Sequence, residues 1–181
     1  MKTVVFDAGA AVWSLDPATF GRTQKPGTPG QHLRDYYDEL RSTNSRCILP
    51  SPALSEALAF FYSPNDHDTA LRLYHEGFEI PAFDARAASV AAKLWRDHDG
   101  KAIVKLLKEK FKISGQCVKI DFQIMATAMI EHATEVLSTD GDIKEICNIV
   151  GVRYLHPQDC KPSPKALPTG PNLFENISEE A

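Results

Sequence analysis

Five carboxylates carry the chemistry open to this sequence: Asp7, Glu56, Asp121, Asp140 and Asp142. Three of them fall in one stretch, VKIDFQIMATAMIEHATEVLSTDGDI, residues 118–143. It opens on Asp121 and continues through an apolar, alanine-rich run, Phe122, Ile124, Met125, Ala126, Ala128, Met129 and Ile130. A short apolar element, Glu135–Ser138, leads to Asp140 and Asp142. The pattern reads as helix, turn, buried strand and acidic loop. Ile124, Ala128 and Glu131 follow Asp121 at spacings of 3, 7 and 10. Asp121 therefore heads a helix face, and a helix N-terminus favours an anion there.

Carboxylates with no His or Cys partner do not make a nucleophilic triad. They suit hard divalent cations. Magnesium prefers octahedral oxygen ligands, takes few protein carboxylates and keeps several waters. Such a cation lowers the pKa of a water that can then attack a phosphodiester, and a second cation roughly 3.5–4 Å away steadies the leaving oxygen. Without a cation, clustered acids repel one another and destabilise the fold.

Gathering these acids requires elements that end at one place. Thr3–Phe6 is an apolar run that stops at Asp7, as a buried parallel strand does at its C-terminal edge. Asp7 reads equally as the N-cap of a following helical turn or as a metal ligand. Arg46–Leu49 is the second strand, ended by Pro50-Ser51-Pro52, and Ala53–Tyr62 is a helix with Leu54, Leu58 and Phe61 as its buried stripe. Glu56 lies outside that stripe, where it reads either as a solvated first-turn glutamate or as a group pointing towards Asp7. Glu135–Ser138 is the third strand and Val152–Leu155 the last, with a helix over 143–150 between them. Parallel strands bring their C-terminal ends together, where ligands bind.

The remaining segments are connections and helices. Pro17, Gly21, Pro26, Gly27, Pro29 and Gly30 mark residues 16–30 as an exposed loop. Gln31–Arg41 is an amphipathic helix with Leu33, Tyr36, Tyr37 and Leu40 inward. Residues 63–68 form a turn capping a helix over Thr69–His75, and Phe78–Ile80 is a short extended piece. His67 and His75 have no partner at metal-ligand spacing and read as surface residues. Asp84 caps the alanine-rich helix Ala85–Arg96. Lys101–Lys112 is a helix with Lys101, Lys105, Lys108 and Lys112 at i, i+4, i+7 and i+11 on one face. Ile103, Val104, Leu107 and Phe111 line the other. With Lys119 just before the acidic helix, the lysine face suits phosphate contacts; the alternative is an ordinary solvated face. Residues 113–116 read as a loop.

The chain has 181 residues, 43% of them hydrophobic, which fits one domain with a real core. We divide it into a domain over 1–157 and a flexible, Pro-rich tail over 158–181. The net charge of −4 disfavours general binding to nucleic acid but leaves room for a local basic face. Cys47, Cys117, Cys147 and Cys160 show no CxxC or zinc spacing and read as reduced thiols. The N-terminus enters a strand directly, and no run approaches the roughly 20 apolar residues of a membrane helix. The expectation is a soluble, cytoplasmic protein.

Together these segments resemble a known family, the PIN domain metal-dependent nucleases, over about residues 2–157. The segments that carry the resemblance are VVFDAGAAVW, ILPSPALSEAL, FEIPAFDARAASVAAKLW, KIDFQIMATAMIEHA and VLSTDGDI, in that order. The resemblance implies a three-layer α/β/α fold with a central parallel sheet, and a pocket binding Mg²⁺ or Mn²⁺ that cleaves single-stranded RNA. Asp7, Glu56 and Asp121 match the family's three principal acids. The fourth falls at Asp140, with Asp142 close beside it. Asp7, Asp121, Asp140 and Asp142 are then the metal ligands, Thr139 orients a ligand, and the five lysines grip the RNA backbone. The nearest functional relatives are VapC-like toxins, which implies an antitoxin protein as partner and a homodimer as a family habit. One departure stands out: many members carry Ser, Thr or Asn two residues after the first Asp, and this chain has Gly9. Gly9 also argues against a phosphatase of the haloacid-dehalogenase type, whose chemistry needs an Asp there as general acid. The alternative from another class is a PIN-like scaffold that binds a partner without catalysis.

Overall fold

Strand β1, Thr3–Phe6, is buried along its whole length, and Val4 and Val5 are both fully buried. Successive strand residues face opposite sides of a sheet. Both faces of β1 are therefore covered, as a parallel sheet layered between helices requires. The same holds for Val136 and Leu137 of β3, Glu135–Leu137. This computed structural model describes residues 2–22, 27–112 and 114–160.

The sheet has the order β2-β1-β3-β4, with β2 at Arg46–Ile48 and β4 at Arg153–Leu155. Every pairing is parallel. From β1 the chain winds outward to β2, then returns across β1 to β3 and β4. The winding reverses between β1 and β3, and in open α/β sheets the ligand crevice lies outside the strand ends at such a switch.

Helices α1 (Ala8–Ser14), α2 (Pro29–Ser42) and α3 (Ser51–Leu58) pack together beside the β1–β2 half. Helix α4 (Pro64–Gly77) brings Glu79 to the outer edge of β2, where it forms one parallel bridge with Ile48. Helices α5 (Ala85–Asp97), α6 (Gly100–Phe111), α7 (Gly115–Ile130) and α8 (Gly141–Val150) form a second packed group. Phe6, Tyr37, Tyr74 and Phe78 form an aromatic cluster in the core. Tyr36 and Tyr37 are buried, so their role is packing.

Several boundaries differ from the sequence reading. Residues 17–20 form a short 3-10 helix capped by Asp16, inside the expected loop, and residues 23–26 of that loop lie outside the described residues. Helix α3 stops at Leu58, and Tyr62 is 95% exposed. Its buried contacts are Ala53 and Ala57, with Leu54 and Leu58 only partly covered. The small alanines allow close approach to α1. Helix α4 begins earlier than expected, because Pro64 sits at its first position and the Ser63 hydroxyl accepts from Asp66 N. The tail boundary at 157 remains a proposal. Pro157–Asp159 form a 3-10 turn, Cys160 is buried, and residues 161–181 lie outside the described residues. All four cysteines are free thiols.

Candidate functional site

Each strand of the central pair ends in polar residues. Asp7 directly follows β1; its backbone N–H donates to Leu137 O, and its Oδ1 accepts from Ala10 N at 2.6 Å. Asp7 is thus the N-cap of α1 and is only 2% exposed. Its other oxygen accepts from the hydroxyl of Ser138, the first residue past β3. The same Ser138 oxygen accepts from Asp140 N at 2.9 Å. Ser138 is fully buried and ties the two strand ends together. The sequence reading placed Ser138 in the strand without a role. A hydroxyl at a strand end beside two acids is the signal that would have found it.

Asp121 is not at a helix start. The Ser114 hydroxyl accepts from Cys117 N and caps α7, so the helix begins at Gly115 and Asp121 lies well inside it. The Ser-Gly pair read as a loop is an N-cap followed by the first helical residue. Helix polarity therefore does not stabilise the Asp121 carboxylate, and Lys119 belongs to the same helix. Asp121 is 8% exposed, and its Oδ2 is buried with no hydrogen-bond partner among the described residues.

Asp140 precedes α8 and Asp142 lies in its first turn, where its side chain is buried. Thr139 Oγ1 donates to Asp140 Oδ1 at 3.2 Å. Glu56 is half-buried on α3. The five acids act on one another electrostatically. Burial pushes Asp7 up to about 7, with Asp140 and Glu56 adding repulsion against the Ser138 and Ala10 hydrogen bonds. Burial and then repulsion from Asp142 push Asp121 up to about 9, helped by a hydrogen bond shared with Asp142. Glu56 is raised by burial and by Asp140 and Asp142. Asp140 is raised by burial and by Asp142, against the Thr139 hydrogen bond.

The opposite edge of the sheet is built differently. There Glu135 receives Lys2 at 2.8 Å and Arg153 at 2.7 Å, and Arg46 meets both Glu79 and Glu131. Among the described residues, none of the five acids at the C-terminal edge makes an ion pair with a cationic side chain.

The donor set fits a hard cation in one respect and not in another. The orphaned Asp121 oxygen is a buried acceptor with nothing to accept from among the described residues, beside Asp142, Glu56 and Asp140, which raise its pKa. Yet among the described residues no group of three or more His, Cys, Asp or Glu side chains could hold a metal ion as arranged. Both Asp7 oxygens and one Asp140 oxygen already accept from neighbours. Magnesium needs only one or two carboxylates, with water and substrate filling the rest. The residues fit that looser mode of binding.

Solved structures of VapBC complexes share this architecture. One, from Rickettsia felis and bound to a promoter DNA fragment, has a TM-score of 0.54 at 18% identity, covering 85% of this chain and 98% of that one. A DNA-bound VapBC from Salmonella typhimurium gives 0.54 at 18%, covering 87% and 99%. VapBC-1 from nontypeable Haemophilus influenzae gives 0.50 at 12%, covering 86% and 98%. The fold is PIN-like. No family model and no curated protein matches the sequence. In this PIN-like fold the sequence-expected acids come to one edge. The lysines lie elsewhere, exposed on α6 and the start of α7, with Lys112 just past the end of α6 as its C-cap. Among the described residues no helix is long and apolar enough to cross a membrane.

Proposed function

We propose that this chain is a divalent-metal-dependent endoribonuclease acting on single-stranded RNA, and the toxin of a toxin–antitoxin pair. One observation carries the reading: five carboxylates act on one another around the β1–β3 switch, and among the described residues they have no cationic partner and one buried Asp121 oxygen has no donor. A fold tolerates such repulsion where a cation relieves it.

Asp7, Asp121, Asp140 and Asp142 are the candidate ligands, of which one or two at a time would hold Mg²⁺ or Mn²⁺, and the ion when bound supplies Lewis acidity towards a phosphodiester and an activated water. Asp7, Glu56, Asp121 and Asp140 are the catalytic acids of this reading. Ser138 fixes Asp7 relative to Asp140, and Thr139 orients the Asp140 carboxylate. Glu56, raised by burial and by Asp140 and Asp142, keeps a proton more readily than an exposed glutamate. Lys101, Lys105, Lys108, Lys112 and Lys119 are exposed and hold the RNA backbone. The likeness to VapBC complexes supports an antitoxin protein as partner, and a homodimer and a cytoplasmic location belong to the same proposal.

The test is cleavage of a labelled single-stranded RNA panel with Mg²⁺, with Mn²⁺ and with EDTA, alongside Asp121→Asn. Metal-dependent cleavage that vanishes in the variant is the expected result. A second reading, a PIN-like binding module without catalysis, draws on the lack of a ready three-ligand group among the described residues. It predicts no cleavage and no Mn²⁺ binding by calorimetry.

A further inference from the structure

We propose that the cleft between α5, α6 and the start of α7 is a subsite for a nucleotide of single-stranded RNA, with Trp95 as its wall and Lys101 and Lys119 as its phosphate clamp. This rests on the ribonuclease reading and adds where the strand lies and which residue meets a base.

The cleft has a volume of about 420 Å³ and is lined by Trp95, Lys101, Val104, Gly115, Gln116 and Lys119. That is the scale of a small-ligand site. Its chemistry is one-sided. Trp95 and Val104 give an apolar wall, Lys101 and Lys119 give two exposed cations, and no carboxylate among the described residues lines it. Neither lysine makes an ion pair among the described residues. Gln116 is exposed and offers an amide, which can both donate to and accept from a base edge. An aromatic wall beside backbone-tracking cations is how proteins hold single strands without sequence readout.

Trp95 is held in advance. Its indole packs edge-on to Phe122, with ring centroids 5.4 Å apart. It also lies over Gly100, where an added Cβ would collide with the ring. A side chain already fixed loses little freedom on binding.

The cleft is joined to the acids by two routes. Phe122, which supports Trp95, is the residue after Asp121 on α7. Helix α6 supplies the second route. Its first residue, Gly100, lies under Trp95, and its last, Phe111, packs on Gly141 between Asp140 and Asp142, where a Cβ would come within 2.7 Å of the ring. The 12 residues of α6 span about 18 Å. Lys105 and Lys108 are exposed along that length. A strand whose phosphate reaches the acids can follow this lysine face and lay another nucleotide against Trp95.

The test uses the full chain carrying Asp121→Asn, to prevent cleavage, and Trp13→Phe, which leaves Trp95 as the sole tryptophan of the two. A single-stranded oligonucleotide is titrated in EDTA and followed by tryptophan emission and by anisotropy of a label. The expected result is saturable change of Trp95 emission. Adding Lys101→Gln and Lys119→Gln weakens binding and lowers the slope of log affinity against log salt by about 1.4, roughly 0.7 for each phosphate no longer neutralised. Trp95→Ala loses roughly tenfold in affinity, and Trp95→Phe recovers most of it. Binding by anisotropy with no change at Trp95, and none from the lysine substitutions, overturns the subsite and leaves the ribonuclease reading intact. An acidic peptide that changes Trp95 emission and displaces the oligonucleotide equally well also overturns it. No binding of any oligonucleotide by either signal removes the RNA reading together with the subsite.

Discussion

The Thr139 hydroxyl occupies the space that a side chain on Gly9 would fill: a Cβ at position 9 would lie 2.6 Å from Thr139 Oγ1 and 3.7 Å from Asp7 Oδ1. The polar group missing after the first aspartate is thus replaced in space by one arriving from the β3 end. The two positions form an interlock. Gly9→Ala is expected to displace Thr139, release Asp140 and lower metal-dependent cleavage by roughly tenfold to a hundredfold, as small misplacements at reacting centres do. Gly9→Ser with Thr139→Gly restores a hydroxyl from the other side and recovers activity beyond either single variant. A double-mutant cycle on kcat/KM checks this; strictly additive effects would mean the two positions are independent.

The metal-free protein should lose stability as the pH rises. Asp7 and Asp121 are raised from 3.8 to about 7 and about 9, so the folded state binds their protons more tightly than the unfolded one. Their contribution is complete below pH about 4 and is lost as the pH climbs through those folded values. Glu56 and Asp140 are raised too and act in the same direction. Thermal unfolding in EDTA should show Tm falling between about pH 5 and about pH 9, by on the order of 10 °C. Added Mn²⁺ should flatten or reverse that trend, since bound cation favours the charged acids. A Tm that rises with pH in EDTA would contradict it.

Asp121→Asn should separate stability from activity. It replaces a buried carboxyl that the folded chain keeps protonated up to about pH 9 while the unfolded chain releases the proton far lower, and whose Oδ2 has no partner among the described residues. In EDTA at about pH 8 the variant is expected to gain about 1–3 kcal/mol over wild type, the scale of an unsatisfied buried polar group. Denaturant unfolding measures the gain, and the same preparation should show no metal-dependent cleavage. A variant less stable than wild type without metal would mean the carboxylate is better accommodated than its geometry indicates.

At the other sheet edge the balance of charge is structural. Glu135 is 1% exposed and is matched by Lys2, Arg153 and the Tyr36 hydroxyl at 2.9 Å. Removing both cations, as Lys2→Ala with Arg153→Ala, leaves a buried charge uncompensated and should cost about 3–5 kcal/mol. Cleavage per folded molecule should stay unchanged. Adding Glu135→Gln to that pair should return part of the lost stability.

Much of this was legible in the sequence because parallel strands announce themselves. Thr3–Phe6 followed by Asp7 needed only an apolar run and an acid, and the observed strand has those bounds. The fold class followed from the family resemblance that these units carry in their order, and the lysine face from simple spacing. What escaped was whatever depends on a neighbour from elsewhere in the chain. Asp121 sits inside α7 because Ser114 caps the helix early, and Ser-Gly is ambiguous between loop and cap. Glu56 could be judged only as inside or outside a stripe, and the real stripe uses alanines. The roles of Ser138 and of Trp95 beside Gly100 arise from contacts across the fold that local pattern does not encode.

Glu135 opens one short strand and Ser138 directly follows its end, about 10 Å away. One end holds matched charges that keep the protein folded; the other holds unmatched charges available for chemistry. Mutations at the two ends therefore come under different selection. Descendants of this chain can drift in durability by trading ion pairs at the strand starts while their reaction is preserved. On the ribonuclease reading they can equally fall silent by losing one acid at the strand ends and remain well-folded proteins, open to recruitment for another task.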